Sequence, residues 1–302
     1  MVGFTDYEND ACVNDFQTLL QWKESRSIAN SILVFLLVPV QENDFGELPP
    51  PYYVGTIPSS GSYTSNDIEF WTKNTFRYAK INELKIIGVA ADNYSSHQSL
   101  FTSWYFSNEP RFSFIPASHT LIFEKECVPF HDSAHLIRNW LYNLNNLAKV
   151  MKLGSWPVLF EDLIVLNQYY PFDKTFLDVT RKMDQRAAEF FFHKTTIDAL
   201  ISYVPHFTFG LQLYLYYGSK LWRLFMDRNI IMSERLFIAG EIISFLIIWW
   251  NTVKEFEDSK LLILTRNTMV ASIQACFSVY ILNYLFQGKE IPVCPWRINS
   301  QP

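Results

Sequence analysis

The sequence predicts a mixed α/β sheet over residues 1–145, a mostly α-helical domain over residues 146–288 and a tail over residues 289–302. Short apolar runs that end in turn residues recur in the first part, and such runs are typical of buried strands. Patterns with the helical period take over after Asn145. The length of 302 residues suffices for one large domain or two ordinary ones.

Composition favours a globular, intracellular type of chain over a strongly basic DNA-binding or a secreted one. A hydrophobic content of 49% with 18% charged residues is globular, and 26 Phe with 16 Tyr predict an extensive core or a surface that a partner covers. The net charge of -5 argues against DNA binding by bulk electrostatics, so DNA contact would need a local patch or another module. Four scattered cysteines without a C-x-x-C pair favour a reducing compartment. The acidic start shows no secretion signal.

The first elements are expected to be three strands. Val2–Phe4 reads as part of a strand, and Ser31–Val38 is a continuous apolar run that predicts a strand buried on both faces. A loop from Gln41 to Ser65, rich in Pro, Gly and Ser, surrounds a short strand at Tyr52–Val54. These segments supply the predicted sheet before its first helix.

A helix and another strand follow. Asn66 or Asp67 is expected to cap a helix that delivers the chain to the apolar run Ile86–Ala91. That run ends abruptly in Asp92, which predicts a strand with Asp92 at its carboxyl end. Open α/β sheets place ligands and chemistry at this edge, so Asp92 is a candidate functional residue.

The end of the run Ile86–Ala91 at Asp92 is the first of two corners, places where a predicted strand ends in a polar residue. The second corner comes at Phe130–Asn139. Asp132 or Ser133 would cap a helix there, because an apolar face with helical spacing begins directly afterwards. That face consists of Leu136, Trp140, Leu141, Leu144 and Leu147. We therefore expect the two corners to bring Asp92, Asp132 and His135 to the same edge of one sheet.

The second half is expected to be helical. Helix-period patterns cover Leu159–Tyr169, Thr175–Tyr203, Gly210–Asp227, Ser233–Phe256 and Asn267–Phe286. Phe237–Val253 and Met269–Phe286 are apolar enough to be mistaken for membrane spans, but Glu241, Gln274 and Asn283 interrupt them. Buried core helices are the more economical interpretation, so we expect no membrane association.

The two corners carry a family resemblance. An aspartate after Gly-Val-Ala-Ala and a strand that ends in Asp-x-x-His-Leu-x-Arg-Asn resemble the RNase H-type core of P-element-like transposases, which include the THAP-domain transposases. The resemblance implies that Asp92 is the second acid of an Asp-Asp-Glu triad that binds two Mg²⁺ ions. It also implies that Asp132, His135, Arg138 and Asn139 form the corner before a helical insertion that binds GTP. The order strand, strand, strand, helix, strand agrees with an incomplete RNase H-like sheet.

The insertion resembles that family less closely. Leu224–Asn229 resembles a Leu-Phe-Asp-x-x-Asn motif, with Asn229 in register and Asp227 one residue late. A shift of one residue turns a helical side chain by about 100°. The resemblance implies that Lys182, Asp227 and Asn229 contact GTP, and the alternative is a solvated helix end. The sequence has no Gly-x-x-x-x-Gly-Lys phosphate loop.

The catalytic triad is expected to be incomplete. In the family, the first aspartate comes on a strand before the Val-Gly-Phe strand, and here nothing precedes Met1 to supply it. Glu290 follows the insertion but lacks the motif that surrounds the final glutamate. Two-metal phosphoryl transfer needs about three carboxylates, so we expect that this chain alone neither cuts nor joins DNA. A complete relative would be a nuclear, Mg²⁺-dependent, homo-oligomeric enzyme with a separate DNA-binding module.

Three alternatives stay open. The first is a non-catalytic interaction or dimerisation protein derived from a transposase, and the second is an integral membrane protein. The third is a zinc site at Cys127, His131 and His135, which the strand-like run Val128–Phe130 argues against because it interrupts helical spacing. We expect His135 to form a hydrogen bond across the sheet edge instead.

Overall fold

The computed structural model of the chain describes residues 31–38, 50–59, 62–84, 86–91, 96–97, 99–101, 128–146, 148–180, 184–206, 208–227, 229–256 and 259–286. The strands there are β1 (Ser31–Leu37), β2 (Tyr52–Ser59), β3 (Gly88–Ala91), β4 (Val128–His131), β5 (Met151–Leu153) and β6 (Trp156–Val158). The helices are α1 (Ser65–Ile81), α2 (Ser133–Asn145), α3 (Glu161–Tyr169), α4 (Gln185–Phe191), α5 (Lys194–Tyr203), α6 (Phe209–Met226), α7 (Met232–Val253), α8 (Ser259–Leu262) and α9 (Arg266–Phe286). A 3₁₀ turn covers Lys174–Leu177.

β1 and β2 form an antiparallel pair with an irregularity between Phe35 and Leu36. The strand at β1 is confirmed, but its predicted burial on both faces is wrong. Val34 and Leu36 are each 50% exposed, since the only partner of β1 among the described residues is β2. β2 runs well beyond the short strand that the sequence predicts.

The helix α1 is confirmed, but its cap is Thr64 rather than Asn66 or Asp67. The hydroxyl group of Thr64 accepts a hydrogen bond from the backbone N–H of Asp67 at 3.2 Å, and the Asp67 carboxylate accepts one from the N–H of Thr64 at 2.9 Å. This reciprocal capping box satisfies two backbone donors of the first turn and fixes where the helix begins.

β3 and β4 are adjacent and parallel, with Gly88 opposite Val128 and Ala91 opposite His131. A side chain at Gly88 would place its Cβ atom 3.0 Å from both the Val128 carbonyl oxygen and the Phe130 ring, so glycine is needed for this close approach. The described residues thus contain one antiparallel and one parallel strand pair from this half. The RNase H-like mixed sheet stays a prediction, and Val2–Phe4 lies outside the described residues.

Four of the five predicted helices are confirmed to within three residues at each end: α3, α6, α7 and α9. The helical pattern predicted over Thr175–Tyr203 is confirmed in part: it is divided between α4 and α5, because two polar residues start new helices inside it. Asp184 accepts hydrogen bonds from the N–H groups of Arg186 and Ala187 at 2.9 and 3.1 Å, and caps α4. His193 caps α5. Each cap offers the backbone a start for a new helix.

The sequence analysis also missed a hairpin. β5 and β6 pair antiparallel across a tight turn that contains Gly154 with a φ of 62°. Glycine adopts this left-handed conformation without strain. The hairpin packs against α6, whose Gly210 lies so close that an added Cβ would be 2.8 Å from the Pro157 carbonyl carbon.

The buried side chains form two apolar clusters. The larger joins α2 with the helical half, and the Trp140 indole N–H donates to the Ser272 hydroxyl group at 2.9 Å within it. The smaller joins α1, the segment 99–101, β4 and the end of α9, and its members are Ile68, Leu100, Phe101, Val128, Phe130, Ile281 and Leu282. α9 contributes to both clusters. The domain division at residue 145 stays a prediction, and the tail 289–302 lies outside the described residues.

Candidate functional site

The carboxyl ends of β3 and β4 lie side by side. Ala91 is the last residue of β3 and pairs with His131, and its carbonyl oxygen accepts a hydrogen bond from the N–H of Asp132 at 2.7 Å. Parallel strands place their carboxyl ends at one edge, where open α/β sheets bind ligands. Asp92 follows Ala91 in the sequence and lies outside the described residues, so its position at this edge stays a prediction.

Asp132 is the N-terminal cap of α2, as the sequence predicts. Its carboxylate accepts hydrogen bonds from the N–H groups of Ala134 at 2.9 Å and His135 at 3.3 Å, and the residue is buried. Such a cap contributes about 0.5 to 2 kcal/mol to stability. Asp132 therefore fixes the direction in which α2 leaves the sheet edge. The predicted apolar face of α2 is also confirmed, since Leu136, Trp140, Leu141 and Leu144 are buried; Leu147 lies outside the described residues.

His131, at the end of β4, forms a hydrogen bond with α9, an element far away in the sequence. The sequence did not predict this role for His131. Its Nε2 atom lies 2.7 Å from the Oε1 atom of Gln274 on α9, and His131 is fully buried. The Phe101 ring meets the imidazole edge to face at 5.1 Å. With an amide oxygen as the acceptor, Nε2 carries the proton.

The other corner residues lie on the first two turns of α2. Nη2 of Arg138 is 3.5 Å from Nδ1 of His135, a contact within the helix, and both side chains are partly exposed. The carbonyl oxygen of Asn139 accepts a hydrogen bond from the Asn143 amide at 2.7 Å. The predicted bond of His135 across the sheet edge stays a prediction.

The second candidate site is the C-terminal end of α6. The Asp227 carboxylate accepts a hydrogen bond from the backbone N–H of Asn229 at 2.9 Å and lies 3.8 Å from Nε of Arg223. The guanidinium group of Arg235 donates to the carbonyl oxygens of Leu224 and Asp227. These contacts satisfy backbone groups at the C-terminal end of α6. They are what the alternative interpretation, a helix end without a nucleotide, requires. Lys182 lies outside the described residues.

In the part of the chain that the structure describes, no group of three or more His, Cys, Asp or Glu side chains is placed to hold a metal ion. At the sheet edge the described residues supply one carboxylate, Asp132, and it caps α2. This does not fit a pair of Mg²⁺ ions, which need about three carboxylates. For zinc, His131 ends a strand while His135 lies on a helix, and Cys127 is outside the described residues.

No family model, curated protein or solved structure matches the chain. The transposase resemblance therefore depends on the residues of the two corners and of the α6 end. Among the described residues, one helix, α7, passes a test of length and apolar composition for crossing a membrane. A core helix passes the same test, and the buried inner face of α7 belongs to the larger cluster.

Proposed function

We propose that the chain is a remnant of a P-element-type DNA transposase that keeps an incomplete RNase H-like core and a helical insertion. The observation that carries the proposal is the parallel pairing of β3 and β4 with Ala91 beside His131. Two strands that end together, one before an aspartate and one before an aspartate-capped helix, are what the resemblance requires of this edge. Mg²⁺ and DNA are the ligands of the proposed complete form, and its compartment is the nucleus.

In this proposal the described corner residues fix the positions of β4 and α2. Asp132 sets the start of α2, and His131 ties β4 to Gln274. The hydroxyl group of Ser278 adds a hydrogen bond to the Pro129 carbonyl oxygen at 2.6 Å. Asp92 follows the last residue of β3 in the sequence, and in this proposal its single carboxylate would bind one divalent cation weakly.

Paramagnetic broadening by Mn²⁺ tests the proposal. In protein with ¹³C-labelled alanine methyl groups, Mn²⁺ at about 1 mM, the concentration that matches weak binding, is expected to broaden the signals of Ala91 and Ala134. Asp92→Asn should abolish this broadening, because it removes the charge that attracts the cation. Asp227→Asn is the matched control and should leave the broadening unchanged. Equal broadening in wild type and Asp92→Asn would refute the proposed cation site.

The number of carboxylates at the sheet edge has its own test. Incubation of the purified chain with labelled duplex DNA and Mg²⁺ or Mn²⁺ is expected to give no strand cleavage, since one carboxylate cannot hold both metal ions. Cleavage by the wild type that disappears in Asp92→Asn would show that the chain is an active nuclease.

GTP binding by Lys182, Asp227 and Asn229 stays a prediction. The Asp227 carboxylate already accepts the N–H of Asn229, so a guanine base would have to replace that bond. A rise in Tm with millimolar GTP that Asp227→Ala removes would support the site. An unchanged Tm in the wild type would leave this segment as a helix end.

A non-catalytic interaction protein is the second candidate function. The observation that favours it is the exposure of large apolar side chains on α7, where Phe237 is 68% and Ile248 is 62% exposed. Exposed apolar patches on a soluble domain mark interaction sites.

A further inference from the structure

The outer side of α7 carries an apolar stripe. Ile238, Ile242 and Leu246 point into the larger cluster, whereas Phe237 and Ile248 are exposed on the opposite side. Gly240 and Ser244 lie between these two large residues at spacings of three and four, so all four share one face of the helix. The helix is therefore apolar on both sides, and on its outer side the Tyr280 hydroxyl group of α9 lies against Gly240, where an added Cβ would be 2.8 Å from it.

This stripe forms one wall and the floor of a groove. Phe237, Gly240, Ser244 and Ile248 line the groove together with Leu213 and Tyr217 of α6 and Tyr280 of α9, around a volume of about 590 Å³. Large side chains stand at the two ends of the stripe and small ones lie between them. The space beside Ser244, which is exposed, admits a bulky side chain from a second helix that crosses α7 there, whereas Tyr280 fills the space beside Gly240.

The walls of the groove are held in place before any partner binds. The rings of Tyr217 and Phe245 stack with centroids 3.7 Å apart and planes 9° apart. The Tyr280 hydroxyl group donates to the Leu236 carbonyl oxygen at 2.7 Å. Preorganised walls lower the entropic cost of association.

The charges at the groove are balanced within the chain. Glu241 is the charged residue that lines it, and this carboxylate forms an ion pair with Lys220 of α6. Burial lowers the pKa of Lys220, but the hydrogen bonds with Glu241 and Tyr216 outweigh it and raise the pKa, so the ammonium group keeps its charge at neutral pH. A surface without net charge suits the core of a protein interface and does not suit nucleic acid or anionic lipid.

We propose that this groove is the surface through which two copies of the chain associate, with the two α7 helices antiparallel. A twofold axis midway between Glu241 and Ser244 sets Phe237 of one protomer opposite Ile248 of the other, and the reverse contact repeats at the far end. The small, exposed residue Ser244 then lies near the crossing point. The stripe is self-complementary about this axis, which makes a second copy the partner that it fits.

The size of the surface suits a dimer. Phe237 and Ile248 of the stripe are exposed, as are their neighbours outside the groove lining, Ile247 and Tyr216. Since a whole aromatic side chain carries about 150 to 250 Å², the four together expose roughly 400 Å² of apolar area. A standard interface buries about 800 Å² on each partner, of which somewhat more than half is apolar. This inference names the surface of the interaction function proposed above, and it does not depend on the cation site.

Sedimentation equilibrium of the full chain tests the inference. The wild type at about 100 µM, a concentration suited to a micromolar interface, is expected to have twice the 35.4 kDa mass of one chain. Ile248→Glu should raise the dissociation constant at least tenfold, because it buries a charge against Phe237 of the other copy. Ile201→Glu, on α5 at a residue that is 49% exposed, is the matched control and should remain dimeric.

A charge-swap rescue tests the antiparallel arrangement. Phe237→Lys alone and Ile248→Glu alone should each raise the dissociation constant at least tenfold, whereas the double variant should return it towards the wild-type value, because each new cation then faces a new anion across the axis. The two positions are about 16 Å apart along one helix, too far to pair within a chain. If Ile248→Glu has a lower helical content by circular dichroism, Ser244→Arg replaces it.

The outcomes separate the competing explanations. A wild type that is monomeric at this concentration, or an Ile248→Glu variant that is as dimeric as Ile201→Glu, would overturn the inference. Flotation of the monomeric wild type with phosphatidylcholine vesicles would assign the stripe to a membrane surface instead. Mn²⁺ broadening at Ala91 is expected to be equal in Ile248→Glu and the wild type, so loss of one property is distinguishable from loss of the other.

Discussion

Arg235 is the most deeply buried cation among the described residues, and its removal should destabilise the fold strongly. Its side chain is 1% exposed and donates to the carbonyl oxygens of Leu224 and Asp227, at the end of α6. Burial lowers the pKa of Arg235, and the negative charges of Asp227 and Glu234 partly offset this effect. The guanidinium group remains charged at neutral pH, because the ordinary pKa of arginine lies far above neutrality.

The magnitude of the Arg235→Met effect can be estimated from these bonds. Each hydrogen bond from a charged donor contributes about 1.5 to 3 kcal/mol, and its loss leaves a buried carbonyl oxygen unsatisfied. Removal of the buried charge also removes its desolvation cost, which offsets part of this loss of stability. We expect Arg235→Met to lower the free energy of unfolding by about 2 to 4 kcal/mol.

The matched control is Arg223→Met. Arg223 forms an ion pair with Glu234 at 2.7 Å, but both side chains are more than 40% exposed, so its loss should cost less than about 1 kcal/mol. Urea unfolding followed by far-UV circular dichroism gives both values from the shift in midpoint at constant slope. An Arg235→Met midpoint equal to that of Arg223→Met would show that the guanidinium bonds do not stabilise the α6 end.

Two further predictions concern single positions. Burial raises the pKa of Asp162 to about 6, with Glu161 adding to the effect, so the native state disfavours the charged form. Asp162→Asn should therefore raise Tm at pH 7, and the gain should disappear as the pH falls through 6 towards 4, where the carboxyl group is protonated in the native state. Gly210→Ala should destabilise by about 1 to 3 kcal/mol through overpacking against Pro157. Gly55→Ala, which meets no atom within 4 Å, should change the urea midpoint little.

The long helices of the second half could be predicted because their apolar pattern is sustained over many turns. α6, α7 and α9 each run 18 residues or more, so small errors at their ends do not obscure the period. The prediction over Thr175–Tyr203 was less accurate, because the helices there are short. Asp184 and His193 stop the pattern with local side-chain bonds, and a polar residue in a helical pattern does not itself show that it caps a new helix.

Strand burial could not be read from composition. The run at β1 is apolar throughout, which favours a strand with neighbours on both sides, yet Val34 and Leu36 are half exposed. The number of neighbouring strands depends on tertiary pairing, and a single apolar run holds no information about it.

In the candidate site, too, one feature could be predicted from the sequence and another could not. The Asp132 cap was predictable, because a cap residue between an apolar strand and an amphipathic helix is a local signal. The His131–Gln274 bond was not, since its partners are 143 residues apart and nothing in the sequence around either residue points to the other. A buried histidine with a polar partner can be found only once the fold is known.

The course of α9 bears on the proposed origin of the helical half. A domain inserted into a core must return the chain to the place where it left, whereas a domain joined by a linker need not. The helical half leaves after α2, and its last described helix returns to that corner. There Gln274 bonds His131, Ser278 bonds the Pro129 carbonyl and Ser272 accepts from Trp140 of α2. These three contacts pack the last described helix against β4 and α2, the segment after which the helical half begins, and the insertion itself stays a prediction.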